Sequence, residues 1–494
     1  MDHLANKLAA SENHHKTSKM KKAQLVFIPS PVVGHLVSSV QFAKLVLDRN
    51  DSFLITFLVL SNPSAGSISK YIESLASVHK QIKFISLPET IAPPSAEAFS
   101  VSVEQAFTRY INDHKTIVKD VIVNQVMAND PAPIASVVFD LFCTAFIDVA
   151  KELGVPSHVF FTSGAAFLGS MLYLSDREEN GQPKFRPTDP DYIIPFYANP
   201  VPYRVLPLMH KDEGYETFAY HGRRFKDANG IIVNTFSEVE SHVVHALLAR
   251  NDIPPIFNVG PLIDHKGKSL AGSDGVKPEE ISKWLDDQPE KSVVFLCFGS
   301  GGGFEEAQLK EIAIGLEKSG HRFLWSVRLK PSEGQLHASY LGNYGEVLPE
   351  GFLERTKNIG MLCGWAPQVQ VLAHKAVGAF VSHCGWNSTL ETLWYGVPII
   401  TWPLYAEQHI NAFQLVKDLG LAEELTLDFR RDCPTDIVRA EDITKAVKTM
   451  MEQGGEFRNK AKAISEMAQK AVAEGGSSYV TLGNLINQWL ENNP

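Results

Sequence analysis

Short apolar runs alternate along the chain with longer stretches in which apolar residues return at helical spacing. The runs at 24–31 (QLVFIPSP), 53–60 (FLITFLVL), 82–88 (IKFISLP), 135–140 (ASVVFD), 157–163 (SHVFFTS) and 230–236 (GIIVNTF) are rich in β-branched and aromatic residues. Consecutive apolar positions of this kind predict strands buried on both faces. Between them, 101–127 carries Val103, Phe107, Tyr110, Ile111, Ile117, Val118 and Val121 at helix spacing. Helices are also expected at 36–48, from near Phe142 to Leu153, and after Phe236 to about Arg250. Strand and helix in alternation predict parallel sheets with helices on both faces. The stretch 176–215 is proline-rich and reads as an irregular loop near an opening.

The rhythm breaks at 260–277, which is rich in Gly, Ser, Asp and Lys and reads as a linker. It restarts at 292–304 (SVVFLCFGSGGGF) as strand, glycine turn and helix entry, an architectural echo of 24–35. Further strands are expected at 377–383 and 397–403, a helix at 386–395, and closing helices near 456–473 and 479–491. The expected organisation is a polar, disordered leader at 1–22, domains at 23–259 and 278–474, and a terminal helical segment at 475–494.

Composition narrows the function. A length of 494 residues is enough for two to four domains, and a 44% hydrophobic fraction supplies sizeable cores. The net charge is −10 without a block of five or more Lys or Arg, which argues against nucleic acid or an anionic membrane as partner. Cys143, Cys297, Cys363, Cys384 and Cys433 are widely spaced and odd in number, as expected of reduced thiols in a cytosol. No apolar run approaches the ~18 residues of a membrane span. The first residues lack a signal-peptide core, and Met20 offers a second conceivable start. A cytoplasmic monomer without membrane insertion is expected.

The densest chemistry lies in 365–408, WAPQVQVLAHKAVGAFVSHCGWNSTLETLWYGVPIITWPLYAEQ. A strand ends at His383, Cys384 and Gly385 turn, and a helix opens with Asn387 and Ser388. That layout gathers free N–H groups and a positive dipole end at one point, which attracts phosphate. Glu391, four residues after Asn387, shares its helix face. A carboxylate there suits sugar hydroxyls, as in nucleotide sites of doubly wound folds. Trp365 offers a flat face for a base. Ser300 and the glycines at 301–303 allow backbone to approach a phosphate closely. Phe304 occupies the third place of a G-x-G-x-x-G pattern, which disfavours a nicotinamide dehydrogenase.

The segment closely resembles the signature box of plant secondary-product (family 1) UDP-dependent glycosyltransferases. The matching residues are W-A-P-Q at 365–368, H-C-G-W-N-S at 383–388, Glu391, G-V-P at 396–398, W-P at 402–403 and E-Q at 407–408. The resemblance extends over most of the chain. It implies two facing doubly wound (Rossmann-like) α/β domains of the GT-B type, with acceptor bound by the first and UDP-sugar by the second. The last helix would return to the first domain. It implies inverting transfer of glucose from UDP-glucose, the donor substrate, to a hydroxyl of a small apolar acceptor of phenolic, flavonoid or terpenoid type, with no cofactor.

The family's catalytic pair matches His35 and Asp140. His35 follows the first strand and Asp140 ends the fourth, so both should reach one sheet edge. A carboxylate on the far imidazole nitrogen fixes the tautomer and stabilises the imidazolium. A helix N-cap is the competing role for Asp140. The donor site implied by the resemblance comprises Ser300, Trp365, Ala366, Gln368, His383, Trp386, Asn387, Ser388, Glu391, Glu407 and Gln408. Trp365 would stack on the base, Gln368 would lie near the uracil edge, and Glu407 and Gln408 would face the sugar. Gln408 resembles the glucose pattern, since galactose users commonly place His there. Cys384 reads as a small buried residue rather than a nucleophile. Phe142, Phe146, Phe161, Phe167 and the 176–215 loop are candidates for the acceptor pocket. Asp189-Pro190-Asp191 spells the D-x-D of metal-dependent glycosyltransferases, but its proline and its loop setting leave it without an assigned metal. The alternatives are an epimerase or hydrolase of nucleotide sugars on the same fold, or an inactive UDP-sugar-binding protein.

Overall fold

The structure is a computed structural model describing residues 23–60, 72, 81–95, 97–98, 102–211, 214–265, 276–330, 339–340, 343–431, 433 and 435–491. The expected leader and most of the expected linker lie outside the described residues.

Two parallel sheets form the frame. The first contains β1 (Ala23–Ile28), β2 (Phe53–Val59), β3 (Ile82–Ser86), β4 (Ile134–Asp140), β5 (Ser157–Phe161), β6 (Gly230–Val233) and β7 (Ile256–Asn258). Its order is β3-β2-β1-β4-β5-β6-β7, with every pair parallel. Each residue of β1, β4, β5 and β6 is buried. That double burial is why these strands read as unbroken apolar runs rather than alternating ones.

The second sheet contains β8 (Val293–Cys297), β9 (Arg322–Ser326) and, beyond a two-stranded antiparallel ribbon of β10 (Arg328–Leu329) and β11 (Ser339–Tyr340), β12 (Gly360–Cys363), β13 (Val377–Ser382), β14 (Ile399–Thr401) and β15 (Ala422–Glu424). Its order is β12-β9-β8-β13-β14-β15. In each sheet the chain first builds outward from one central strand and then returns to its other side. The reversals fall between β1 and β4 and between β8 and β13. A crevice opens at the carboxyl ends of strands at such a point, and ligands bind there.

The final helix, Ser477–Glu491, packs on the first domain although it follows the second in sequence. Leu482, Leu485, Ile486 and Trp489 join the core of β1, β2 and the helix Val33–Arg49. Trp489 meets Phe42 and Phe53 edge-on, at 6.4 and 6.1 Å between ring centroids. A fully buried Trp contributes about 1.5–3 kcal/mol or more through burial, so this strap ties the two domains into one body.

Three expectations change in detail. The single helix expected over 101–127 is divided into Val103–Asp113, Lys115–Val121 and a wider turn at Ile122–Met127. The break falls at His114, whose ring bonds the Tyr110 carbonyl at 2.7 Å. The helix expected from Phe142 begins at Phe146. Asp140 delays it by holding the intervening turn, accepting from the Phe142 N–H at 3.2 Å and, through its own carbonyl, from that of Cys143 at 2.8 Å. The 176–215 stretch begins inside the helix Ala165–Glu179 and then runs irregularly across the second domain. Asp418 accepts from the backbone N–H groups of Ala198 and Asn199, both at 3.1 Å. Arg430 donates to the carbonyls of Arg204 and Leu206 at 2.9 and 2.8 Å.

Candidate active site

The two reversals face each other across one cavity of about 460 Å³. Its first-domain wall starts at β1. The helix after β1 opens at Val33, so His35 lies within its first turn rather than in the turn before it. β4 is the neighbour of β1, and its last residue is Asp140. His35 Nδ1 and Asp140 Oδ2 are 2.7 Å apart, and Thr162 Oγ1, just past β5, is 3.1 Å from the same nitrogen. The second Asp140 oxygen accepts from Ser30 Oγ and the Phe142 N–H. The Asp140 side chain is 0% exposed and that of His35 is 23%. Only the imidazole reaches the cavity, and the carboxylate behind it fixes the proton on Nδ1, leaving the Nε2 lone pair free to accept. Burial alone would lower the His35 pKa. The charge and hydrogen bond of Asp140, with Glu407 behind them, outweigh burial and raise it.

Apolar groups flank His35. Val32, Leu141, Phe142, Phe167 and Phe218 line this side, with the Phe142 ring 5.8 Å from the imidazole and 5.7 Å from Phe218. Phe146 and Phe161, expected here, are instead fully buried in the core. Among the described residues none of 176–215 lines the cavity; that stretch instead bonds to the second domain.

The second-domain wall is built at β8 and β13. Past β8, Gly299 has φ 72° and Ser300 lines the cavity. Past β13, His383 sits between two glycines: a Cβ on Gly299 or Gly385 would lie 2.5 or 2.6 Å from its Nε2. Both positions therefore demand glycine. Burial first, and then the Arg328 guanidinium, lower the His383 pKa to about 4, so this imidazole is neutral near pH 7. Its Nδ1 is buried without a hydrogen-bond partner among the described residues. Trp365, Ala366, Gln368, Ser388 and Glu391 line the far end. Gln368 Nε2 donates to Ser388 Oγ at 2.8 Å and to Glu391 Oε2 at 2.6 Å, which aligns the three side chains. Burial raises the Glu391 pKa to about 7, partly offset by Gln368.

Three expected donor-site residues are engaged elsewhere. Trp386 lines the cavity, but its indole N–H donates to the Asn234 carbonyl of the first domain at 2.7 Å. Asn387 also lines the cavity, but its Nδ2 donates to the Gly34 carbonyl at 3.4 Å and its Oδ1 accepts from Ser38 Oγ at 3.1 Å. Both residues join the domains. Gln408 does not line the cavity. Its Oε1 accepts from the N–H groups of Leu404 and Tyr405 at 2.9 and 3.1 Å, closing the loop in which Ala406 has φ 52°. That loop presents Glu407, which lines the cavity and accepts from Ser163 Oγ at 3.4 Å. Cys384 is fully buried at φ 61°, and burial pushes its thiol up to about 12, so it is no nucleophile. Asp189 and Asp191 lie away from the cavity, Asp189 accepting from Arg186 N at 3.2 Å.

Sequence reasoning missed Thr162, Ser163, Asp264 and Arg328, all of which line the cavity. The first two follow β5, the strand next to β4, so the strand-end logic applied to Asp140 reaches them too. Arg328 directly follows the apolar run 323–327, a cation at a strand's exit.

The cavity's lining can thus pair a base poised on one domain with donors for an anion and a base-sized apolar face on the other. Comparison with known proteins points the same way. Residues 242–469 match the model of the family described as UDP-glucoronosyl and UDP-glucosyl transferase. The chain is 46% identical over 480 residues to UDP-glycosyltransferase 71K1 of Malus domestica, covering 96% of this chain and all of that one. It is 40% identical to the flavonol 3-O-glucosyltransferase UGT71C4 of Arabidopsis thaliana, covering 96% and 99%. It superposes on the crystal structure of Medicago truncatula UGT71G1 complexed with UDP-glucose with a TM-score of 0.85, at 41% identity and over 96% and 99% of the two chains.

Proposed function

This chain belongs to the plant family 1 UDP-glycosyltransferases, and from that premise we propose that it is an inverting glucosyltransferase acting on a small neutral phenolic hydroxyl. The observation that carries the reading is the His35–Asp140 pair, whose free Nε2 shares a cavity with Ser300 and His383 of the facing domain. The acceptor's O–H bonds His35 Nε2. As its oxygen attacks the anomeric carbon, the proton passes to His35 and the bond from that carbon to the phosphate oxygen breaks. Asp140 stabilises the imidazolium. Backbone N–H groups beside Ser300, Ser388 and the neutral His383 receive the charge that develops on the leaving diphosphate. Attack from the face opposite the leaving group inverts the centre, so α-configured UDP-glucose yields a β-glucoside.

The acceptor class follows from the walls around His35. They are mainly aromatic and aliphatic, and the further charge that acts on His35 besides Asp140 is the Glu407 carboxylate, a setting that suits a flat apolar phenol and disfavours an anionic acceptor. UDP-glucose as donor is supported by the flavonol glucosyltransferase relative and by Glu407, a half-buried acceptor for sugar hydroxyls at the cavity wall. Equimolar UDP-glucose, UDP-galactose, UDP-xylose and UDP-glucuronate competing for a panel of phenols should give mainly β-glucosides by mass spectrometry and NMR. Galactosides or glucuronides as the main product would overturn the donor assignment.

Glu391 makes this reading pH-dependent. A carboxylate accepts from two ribose hydroxyls only when ionised, and burial holds Glu391 up near 7. Affinity for UDP is therefore expected to rise from about pH 6 to about pH 8. Glu391→Gln should bind UDP more weakly and keep only the dependence that UDP's own phosphate imposes. Calorimetry on both proteins checks this; identical pH profiles would remove Glu391 from the donor site.

A further inference from the structure

Arg328 is 4% exposed, lines the cavity, and among the described residues its guanidinium bonds carbonyls and no carboxylate. A buried guanidinium without an anion is costly, so its retention calls for a reason. Its bonds are to carbonyls. Nη1 donates to Ser300 O at 3.0 Å and Nη2 to Gly299 O, while Nε has no partner among the described residues. The backbone of Arg328 closes the same loop from the other side, its carbonyl accepting from the Phe304 N–H at 3.1 Å. Arg431 Nη1 takes the next carbonyl, that of Gly301, at 3.0 Å.

This pattern has a geometric consequence. In a planar trans peptide the C=O and the following N–H point in opposite directions. Drawing the Gly299 and Ser300 carbonyls onto Arg328 turns the Ser300 and Gly301 N–H groups the other way. Successive N–H groups on one side of a loop form an anion-binding concavity. The arginine thus shapes the concavity and leaves a positive charge beneath it.

We propose that Arg328 is a positioning residue for the donor's diphosphate: it sets the amide orientation of the 299–301 loop and supplies the cationic field against which the diphosphate binds and leaves. The assignment rests on the donor site proposed above. It differs from a purely structural role in its selectivity, since only ligands carrying phosphate at this loop feel it. The base and ribose end, at Trp365 and Glu391, has no bond to Arg328.

The test is the affinity of the full chain and of Arg328→Gln and Arg328→Lys for uridine, UMP and UDP by calorimetry, with kcat and KM for UDP-glucose. Arg328→Gln should weaken UDP about ten- to a hundredfold, the usual cost of losing a charged hydrogen-bonded group, and leave uridine within about threefold. Arg328→Lys, which keeps the charge and loses the planar fork, should fall between wild type and Arg328→Gln for UDP. The kcat should fall along with the UDP affinity, because leaving-group charge is greatest in the transition state. If circular dichroism shows Arg328→Gln unfolded, the uridine-to-UDP comparison on Arg328→Lys decides. Equal losses for uridine and UDP, or no loss, in proteins whose wild type binds UDP, would overturn the proposal. A wild type that binds no UDP would instead overturn the donor site, and this assignment with it.

Discussion

Replacing His35 by Ala is expected to lower turnover by about 10²–10⁴, the usual contribution of a positioned general base. The phenolic oxygen would then have to attack before its proton had anywhere to go inside a cavity lined by Phe142, Phe167 and Phe218. UDP affinity should remain near wild type, because the proposed donor residues other than those bridging the domains belong to the loops and helices of the second domain. The fold should survive as well. Among the described residues the His35 ring bonds only at its Nδ1 edge, and the side chain is 23% exposed, so truncation leaves no large cavity. Steady-state kinetics on a phenolic acceptor, with UDP calorimetry on the same sample, checks both halves. A variant retaining more than about a tenth of wild-type turnover would remove His35 from the role of base.

Asp140→Asn should cost nearly as much, up to about 10⁴ when an imidazole loses its carboxylate partner. An amide can still bond His35, Ser30 and the Phe142 N–H, so the β4 turn should persist. It cannot stabilise the imidazolium formed as the acceptor loses its proton. The pH profile separates this from a mere loss of packing. Asp140 raises the His35 pKa, more than offsetting burial. A base is active only when neutral, so wild-type activity is lost as pH falls through that raised value. With the carboxylate gone the imidazole loses its proton more readily. The acid limb of kcat/KM should therefore move to lower pH even as the plateau drops. An unshifted limb would leave Asp140 as a structural group of the turn, and a collapsed far-UV spectrum would say the same.

Some of this was legible because it is local. The central strands announce themselves as unbroken apolar runs, since both faces of a parallel sheet are covered. The donor-facing turn was legible for a similar reason: strand end, glycine and helix start fall between Ser382 and Ser388, and such a junction concentrates N–H groups wherever it occurs. His35 and Asp140 could be paired because each follows or ends a strand, and ends of parallel strands lie at one edge. The short strands β7 and β15, of three residues each, were harder. Strands of that length carry too few positions for a period to show.

The sequence by itself thus determined two doubly wound domains, the strand ends that bear His35, Asp140, Ser300 and His383, and the kind of ligand that a turn at 383–388 attracts. Tertiary structure decided what each side chain was free to do. Trp386 and Asn387 stand in the motif, yet their polar atoms are taken by Asn234, Gly34 and Ser38, partners 152, 353 and 349 residues away. Gln408 faces its own loop because the N–H groups of Leu404 and Tyr405 need an acceptor there. Arg328 bears on the diphosphate loop only because β9 lies beside β8. Periodicity and spacing record which face of an element is buried. They do not record which distant element covers it, and that covering leaves His35 Nε2 free while it occupies the polar atoms of Trp386 and Asn387.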